Sequence, residues 1–281
     1  MYFAPDSLDE AVDVLREHGS DGKILAGGQS LVPMMNMRLA RPSALIDVMR
    51  ITHLSGIHRN GRLSVGATTR QRDVLADAGL TAEFPLIHAA LRSVGHPANR
   101  ARGTFGGSLA HADPAAELPA VMLALDAEMA IQGRNGERVV SAEDFFVTYY
   151  TTVLDADDLL TEIRLPKPPS AWGFREITRR HGDFALAGAV ITADADAAGL
   201  VQSARVVLFA VTDRPVRAVA AEEALVGQRL ADDAVVREVA ELACEGIDFT
   251  SDVHVSDVYR REASVALVRR AVQDAATSIG G

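Results

Sequence analysis

Two segments constrain this chain most: Leu25-Ala26-Gly27-Gly28-Gln29-Ser30-Leu31-Val32 and Gly103-Thr104-Phe105-Gly106-Gly107-Ser108. Each sets paired glycines beside a hydroxyl residue at the edge of a regular element. Without a Cβ in the way, backbone N–H groups can converge and form a nest for an anion. A helix that begins just after the turn adds a partial positive charge. Ser30, Thr104 and Ser108 could add hydroxyl donors. A diphosphate needs donors from two sides, so two such loops suit it better than one. Neither segment has the Gly-x-x-x-x-Gly-Lys spacing of a P-loop, and no Gly-x-Gly-x-x-Gly follows a strand. A Gly-Gly-polar turn is also an ordinary turn. The residues alone therefore reach a candidate diphosphate-cofactor site and leave the plain turn open.

The elements around these loops set the architecture. Ser7 and Glu10 make a capping box for a helix over 7–18, with Leu8, Ala11, Val12 and Leu15 on one face and Gly19 ending it. Strands are expected at 23–25 and 44–48, with a helical stretch over 31–39 that tolerates Pro33 in its first turn. A strand at 62–67 and helices over 70–78 and 83–94 follow. Between 95 and 113, Gly95, Pro97, Gly103, Gly106 and Gly107 prevent a continuous element. Pro114 then opens a helix through Leu125, with Asp113 as its N-cap. Asn135-Gly136 is the turn of a hairpin between 127–132 and 137–140, and 159–165 is a strand.

Pro166-Lys167-Pro168-Pro169-Ser170 reads as a linker. Beyond it come strands at 172–180, 184–193 and 200–211, then helices over 215–226, 232–245 and 257–276. Strands followed by helices indicate an α+β unit. The expected organisation is residues 1–168, in two subdomains of about 1–55 and 56–168, followed by a smaller unit over 171–281.

Charge and cysteine content narrow the function. Lys and Arg total 28 against 38 Asp and Glu, a net charge of −10. The basic spots (Arg100 with Arg102, Arg179-Arg180, Arg260-Arg261, Arg269-Arg270) make no stripe, so no nucleic-acid partner is expected. Cys244 is the only cysteine, which excludes an internal disulfide and a protein-held iron–sulfur cluster on this chain. It reads as a buried small apolar residue on a helix. No basic-then-apolar leader is visible, and no run of about 18 apolar residues occurs, so a cytoplasmic chain with no transmembrane segment is expected. The eight histidines form no ligand pair on one face, so no metal site is expected. No Ser/His/Asp order supports hydrolase chemistry.

The stretches Ala26–Ser30 and Thr104–Ser108 resemble the two flavin-binding signatures of the molybdenum-hydroxylase flavoproteins. That family includes the medium subunits of carbon monoxide dehydrogenase and the FAD modules of xanthine dehydrogenases. Its patterns are Ala-Gly-Gly-(His/Gln)-Ser and Thr-(Ile/Phe)-Gly-Gly-(Asn/Ser). The resemblance continues through Leu31-Val32-Pro33-Met34-Met35, Arg38-Leu39-Ala40 and Asp113-Pro114-Ala115-Ala116-Glu117-Leu118-Pro119-Ala120. It extends to Leu159–Pro166 and Gly182-Asp183-Phe184-Ala185, and so runs the whole length. It implies an α+β fold: a two-part FAD-binding domain of the vanillyl-alcohol-oxidase/PCMH type, then a smaller α+β C-terminal domain of the CO dehydrogenase flavoprotein type.

By this resemblance Leu25, Ala26, Gly27, Gly28, Gln29, Ser30, Leu31 and Val32 wrap the FAD diphosphate. Thr104, Gly106, Gly107 and Ser108 hold its other side and the ribityl chain. Ser108 stands where many relatives carry Asn, which shortens that reach. Glu117 matches an acid that bonds sugar hydroxyls, a charge-assisted contact; from the residues alone it reads as a solvated first-turn acid. Leu159 or Leu160 aligns with a contact to the adenine or flavin edge, with Leu160 the assigned one and strand core the plain alternative. Phe184 matches a position over the isoalloxazine, where close relatives often have tyrosine. Val94 and Gly95 sit where relatives pass near the flavin, and His111 lies one turn past the second loop.

The resemblance also implies partners. A large subunit carries molybdenum and hydroxylates the substrate, and a small subunit carries two [2Fe–2S] clusters. The flavoprotein takes electrons from those clusters and passes them to an external acceptor, in a dimer of heterotrimers. No catalytic side chain on this chain is expected, because the flavin carries the redox chemistry. The alternatives are a self-contained FAD-dependent oxidase and a non-catalytic assembly module. About 110 residues after the linker are few for the substrate-covering domain of such an oxidase. Intact glycines in both loops argue against a decayed module.

Overall fold

The computed structural model describes residues 1–278. Its first layer is a small parallel sheet: β1 (Tyr2–Phe3), β2 (Gly22–Leu25) and β3 (Ala44–Asp47), in the order β1-β3-β2. Helix α1 (Leu8–His18) packs on it through Ala11, Val12 and Leu15. The Ser7 hydroxyl caps α1 by accepting the Glu10 N–H at 3.2 Å, and the Glu10 carboxylate accepts the Asp6 N–H at 3.1 Å. Half of the expected capping box is thus displaced by one residue. The first glycine segment leaves the end of β2 and runs into α2 (Leu31–Asn36).

The second layer is an antiparallel sheet of order β4-β5-β10-β6-β7. Its strands are β4 (Ile57–Arg59), β5 (Leu63–Gly66), β6 (Glu128–Gly133), β7 (Gly136–Ser141) and β10 (Leu159–Arg164). The hairpin expected around Asn135-Gly136 is β6–β7, and Gly136 takes φ +97° there. A two-stranded ribbon, β8 (Phe146–Thr148) with β9 (Thr151–Thr152), follows the short helix α9 (Ala142–Phe145).

Six helices lie between β5 and β6: α3 (Gln71–Ala76), α4 (Ala78–Glu83), α5 (Pro85–Ser93), α6 (Pro97–Arg102), α7 (Phe105–His111) and α8 (Glu117–Ala124). Every residue of α8 is buried. The stretch 95–113 holds two short helices broken at Gly103-Thr104, in keeping with no continuous element there. One expectation needs correction. The helix expected from Pro114 starts at Glu117, with Ala116 at the N-cap. Asp113 does not cap it: its Oδ1 accepts the Ala115 N–H at 2.9 Å and closes a turn three residues earlier.

After the Pro-rich segment, β11 (Ala171–Thr178), β12 (Ala185–Ala195), β13 (Val201–Phe209) and β14 (Val216–Arg217) form an antiparallel sheet in that order. Helices α10 (Val219–Leu225), α11 (Asp233–Leu242) and α12 (Asp257–Ser278) cover one face. Alternation along the strands splits the sheet between two cores. Ala187, Ala189 and Ile191 face the helices, whereas Val190, Val207 and Phe209 join the core around α5 and α8. This second contact fixes the hairpin β11–β12 against the segment that carries Val94 and Gly95.

Gly173 shows how tightly α12 sits. A Cβ there would fall on the Ala271 carbonyl oxygen and within 3.0 Å of the Ala271 Cα. Backbone pressed on backbone cannot yield by rotamer change. Gly173→Ala is expected to destabilise the chain by about 3 kcal/mol, lowering its thermal transition by roughly 6–10 °C. Scanning fluorimetry of the variant checks this, and an unchanged transition refutes the packing argument.

Candidate functional site

The two glycine segments meet. A Cβ built on Gly27 would strike the Arg102 carbonyl oxygen and lie 2.7 Å from the Gly103 Cα and 3.0 Å from the Thr104 nitrogen. The link is reinforced at the side chains, where Asn99 donates from Nδ2 to Gln29 Oε1 at 3.3 Å. Gly107 faces the same junction, since its Cβ would lie against the Thr104 hydroxyl and 3.9 Å from the Ala26 Cβ. The junction stands on the chain just after β5: the Gly106 N–H donates to the Ala67 carbonyl at 2.9 Å, and the Phe105 N–H to the Thr69 carbonyl at 2.8 Å.

The segments differ in what they offer. In the first, the N–H groups of Gly27, Gly28, Gln29 and Ser30 have no backbone acceptor among the described residues. The Gln29 side chain folds back to donate to the Gly27 carbonyl at 3.3 Å, and the Ser30 hydroxyl has no partner among the described residues. Gly28 takes φ +72°, a left-handed conformation suited to glycine. Consecutive unpaired N–H groups beside a left-handed glycine suit an anion.

The second segment departs from expectation. Gly106 and Gly107 lie within α7, and the N–H groups of Phe105, Gly106, Gly107 and Ser108 are already bonded. The Thr104 hydroxyl caps the helix by accepting the Gly107 N–H at 3.1 Å. Gly106 and Gly107 therefore serve close approach, one to Ala67 and the other to Thr104, rather than donation. What remains for a ligand is the Thr104 hydroxyl proton and the Ser108 hydroxyl.

Glu117 starts α8 and is 6% exposed. Burial, then the nearby Glu176 carboxyl, pushes its pKa up from the ordinary 4.5 to about 8. Its side chain forms no hydrogen bond or ion pair to another side chain among the described residues. Glu176 on β11 is pushed up by burial too, against the Ser93 hydroxyl that bonds it, and its Oε2 has no partner among the described residues. The sequence reading missed Glu176. The available signal was alternation: Trp172, Phe174 and Glu176 share the inward face of one strand, so the carboxylate falls among apolar neighbours.

The other expected residues are spread around this junction. Val94 and Gly95 end α5, with Gly95 at φ +47°. Their carbonyls accept from Arg100 Nη1 at 2.7 and 3.0 Å. Gly182 of the β11–β12 turn packs on Gly95 and His96. Phe184, just before β12 and outside it, is 68% exposed, an unusual state for the largest apolar side chain of a turn. Leu159 and Leu160 are buried in β10, in two different cores. His111 ends α7 with its ring 5.1 Å from that of Tyr150, and burial holds its pKa below the usual value. Leu25 ends β2, and Leu31 and Val32 open α2, none of them buried.

Residues 1–168 match the family described as the FAD binding domain in molybdopterin dehydrogenase, and residues 172–275 match the CO dehydrogenase flavoprotein C-terminal domain. The chain is a molybdenum-hydroxylase flavoprotein, a member of the medium-subunit family. Among relatives of this flavoprotein, caffeine dehydrogenase subunit beta of Pseudomonas sp. (strain CBB1) is 38% identical over 99% of this chain and 95% of its own length. The carbon monoxide dehydrogenase medium chain of Hydrogenophaga pseudoflava is 34% identical over 98% and 96%. The structure of quinoline 2-oxidoreductase from Pseudomonas putida 86 superimposes with a TM-score of 0.94 at 39% identity, covering 99% of this chain and 97% of that one.

The flavoprotein's residues fit FAD. The unpaired N–H groups at 27–30 and the free Ser30 and Ser108 hydroxyls suit a diphosphate. A buried carboxyl without a side-chain partner suits sugar hydroxyls, which would donate to it. Among the described residues no helix is long and apolar enough to cross a membrane.

Proposed function

We propose that this flavoprotein holds FAD where its two glycine segments meet and relays electrons from [2Fe–2S] clusters of a small partner subunit to an external acceptor. The observation that carries the reading is the Gly27 contact with Arg102–Thr104 beside four unpaired N–H groups. In this reading Gly27 to Ser30 bind one phosphate through backbone N–H groups. Leu25, Ala26, Leu31 and Val32 frame them. Thr104 and Ser108 donate from the other side, while Gly106 and Gly107 let the backbones approach. Glu117 accepts ribityl or ribose hydroxyls. Val94, Gly95, His111, Leu160 and Phe184 line the path of the ring and adenine. FAD, when bound, supplies the two-electron capacity that joins one-electron clusters to an acceptor.

The domain boundary falls at the Pro166–Pro169 linker, giving units over 1–168 and 171–281. A large molybdenum subunit oxidises the substrate, so this chain needs no substrate pocket. The assembly is a cytoplasmic dimer of heterotrimers. The single cysteine supports this division, because any clusters must sit on another chain.

The test is the absorption spectrum of the complex before and after anaerobic addition of its substrate. The expected result is one FAD per copy of this chain, bleached by substrate only when the small subunit is present. A chain that purifies without flavin, or that alone oxidises an alcohol or phenol with bleaching, overturns the reading.

A further inference from the structure

Away from the glycine segments, a cavity of about 470 Å³ opens between α3, α5, α6 and the β11–β12 turn. Leu75, His88, Arg92, Ser93, Arg100 and His181 line it. We propose that this cavity is a second ligand site that takes a phosphate group, either as the free anion or carried by a nucleotide.

The lining is the first argument. Two guanidinium groups and two imidazoles face one space that no carboxylate lines, on a chain of net charge −10. Other arginines are neutralised by acids, as Arg59 is by Asp77 and Arg175 by Asp274, although not all of them are. Among the described residues Arg92 and Arg100 form no ion pair. Three acids close to lining residues already have partners. Asp73 lies 3.2 Å from Arg72, Asp183 faces Arg179 at 3.9 Å, and Glu176 sits behind Ser93, whose hydroxyl it holds. Glu117, buried at the start of α8, feels Arg100 at longer range.

Preorganisation is the second argument. The Arg100 Nη1 is tied to the Val94 and Gly95 carbonyls. Its Nε and Nη2 have no acceptor among the described residues, so a fixed fork is left for an oxyanion. Guanidinium groups recognise phosphate through such a fork, and a fork already held in place loses little freedom on binding. The volume lies within the range of pockets for small ligands, and Leu75 gives an apolar wall to the face of a base. No residue of either glycine segment lines the cavity, although Val94 and Gly95, which hold Arg100, also lie on the proposed path of the flavin.

The experiment is calorimetric titration of the FAD-saturated complex at low ionic strength with inorganic phosphate, ADP and adenosine, monitoring flavin absorbance throughout. ADP is expected to bind with Kd below about 1 mM, phosphate more weakly and adenosine not at all. Phosphate binding as tightly as ADP supports the site with the free anion as its ligand. Arg92→Gln should weaken ADP by about tenfold or more, the loss of one charge-assisted contact, with flavin content unchanged. Arg92 is exposed at the end of α5, and His181→Ala at the turn is the second variant, expected to weaken ADP by about threefold. The proposal is overturned by no ADP binding up to about 5 mM, by adenosine binding as well as ADP, by unweakened binding in both variants, or by ADP expelling FAD.

Discussion

Gly27→Ala is expected to leave the protein almost without flavin. The added methyl would meet only main-chain atoms: the Arg102 carbonyl oxygen, the Gly103 Cα and the Thr104 nitrogen. No side chain can swing away, so the segments must separate, at an overpacking cost of about 1–3 kcal/mol. Separation also pulls the N–H nest away from the Thr104 and Ser108 hydroxyls. Losing two charge-assisted contacts to a diphosphate weakens binding by at least about 100-fold. The ratio of flavin absorbance to protein in the purified variant measures this, and fluorescence titration of the stripped protein gives the affinity. Gly61→Ala is the control. Gly61 has φ +80°, so alanine is strained there, but a Cβ would meet nothing within 4 Å. That variant should keep its flavin. Stoichiometric FAD in Gly27→Ala would show that the junction is not where the diphosphate is held.

The first glycine segment was legible because its function needs residues that nothing else explains. Paired glycines before a hydroxyl, between a strand and a helix, leave N–H groups unpaired, and the structure shows them unpaired. The second segment looked the same on paper and works differently. Gly106 and Gly107 lie in a helix that glycine disfavours, and the Thr104 cap and the close fit on Ala67 outweigh that propensity. A string of letters does not show whether a glycine frees an N–H or admits a neighbour. The long elements with clear periodicity, such as α1 and α11, were readable for the usual reason. Strand β1 was not, since two residues paired with Leu45 and Ile46 carry no pattern. The start of α8 was misplaced because Pro114 and Asp113 carry the features of a helix opening, while Asp113 closes a turn with Ala115 instead.

The burial of Glu117 has a measurable consequence for stability against pH. In the folded, FAD-free chain its carboxyl keeps a proton until about pH 8, pushed up by burial and then by Glu176. In the unfolded chain the same group lets go near its ordinary 4.5. Between those values the folded state binds more protons, so its stability falls as pH rises through the window and levels off above it. Each pH unit costs at most about 1.4 kcal/mol, which is roughly 2 kcal/mol between pH 5.5 and 7.5. Gln at 117 cannot ionise and nearly matches the shape. The thermal transition of the FAD-free wild type is therefore expected to drop against that of Glu117→Gln by roughly 4–8 °C over that range. Glu176 keeps a shallower slope of its own in the variant, and Glu176→Gln should lessen the wild-type slope without removing it. Bound FAD should flatten the wild-type curve, because hydroxyls donating to Glu117 favour its charged form and bring its pKa down. If the wild-type and Glu117→Gln curves run parallel from pH 5.5 to 8.5, Glu117 is already ionised without the flavin. A carboxylate charged in that setting would have to be satisfied by the protein itself, and it would no longer be a group waiting for sugar hydroxyls.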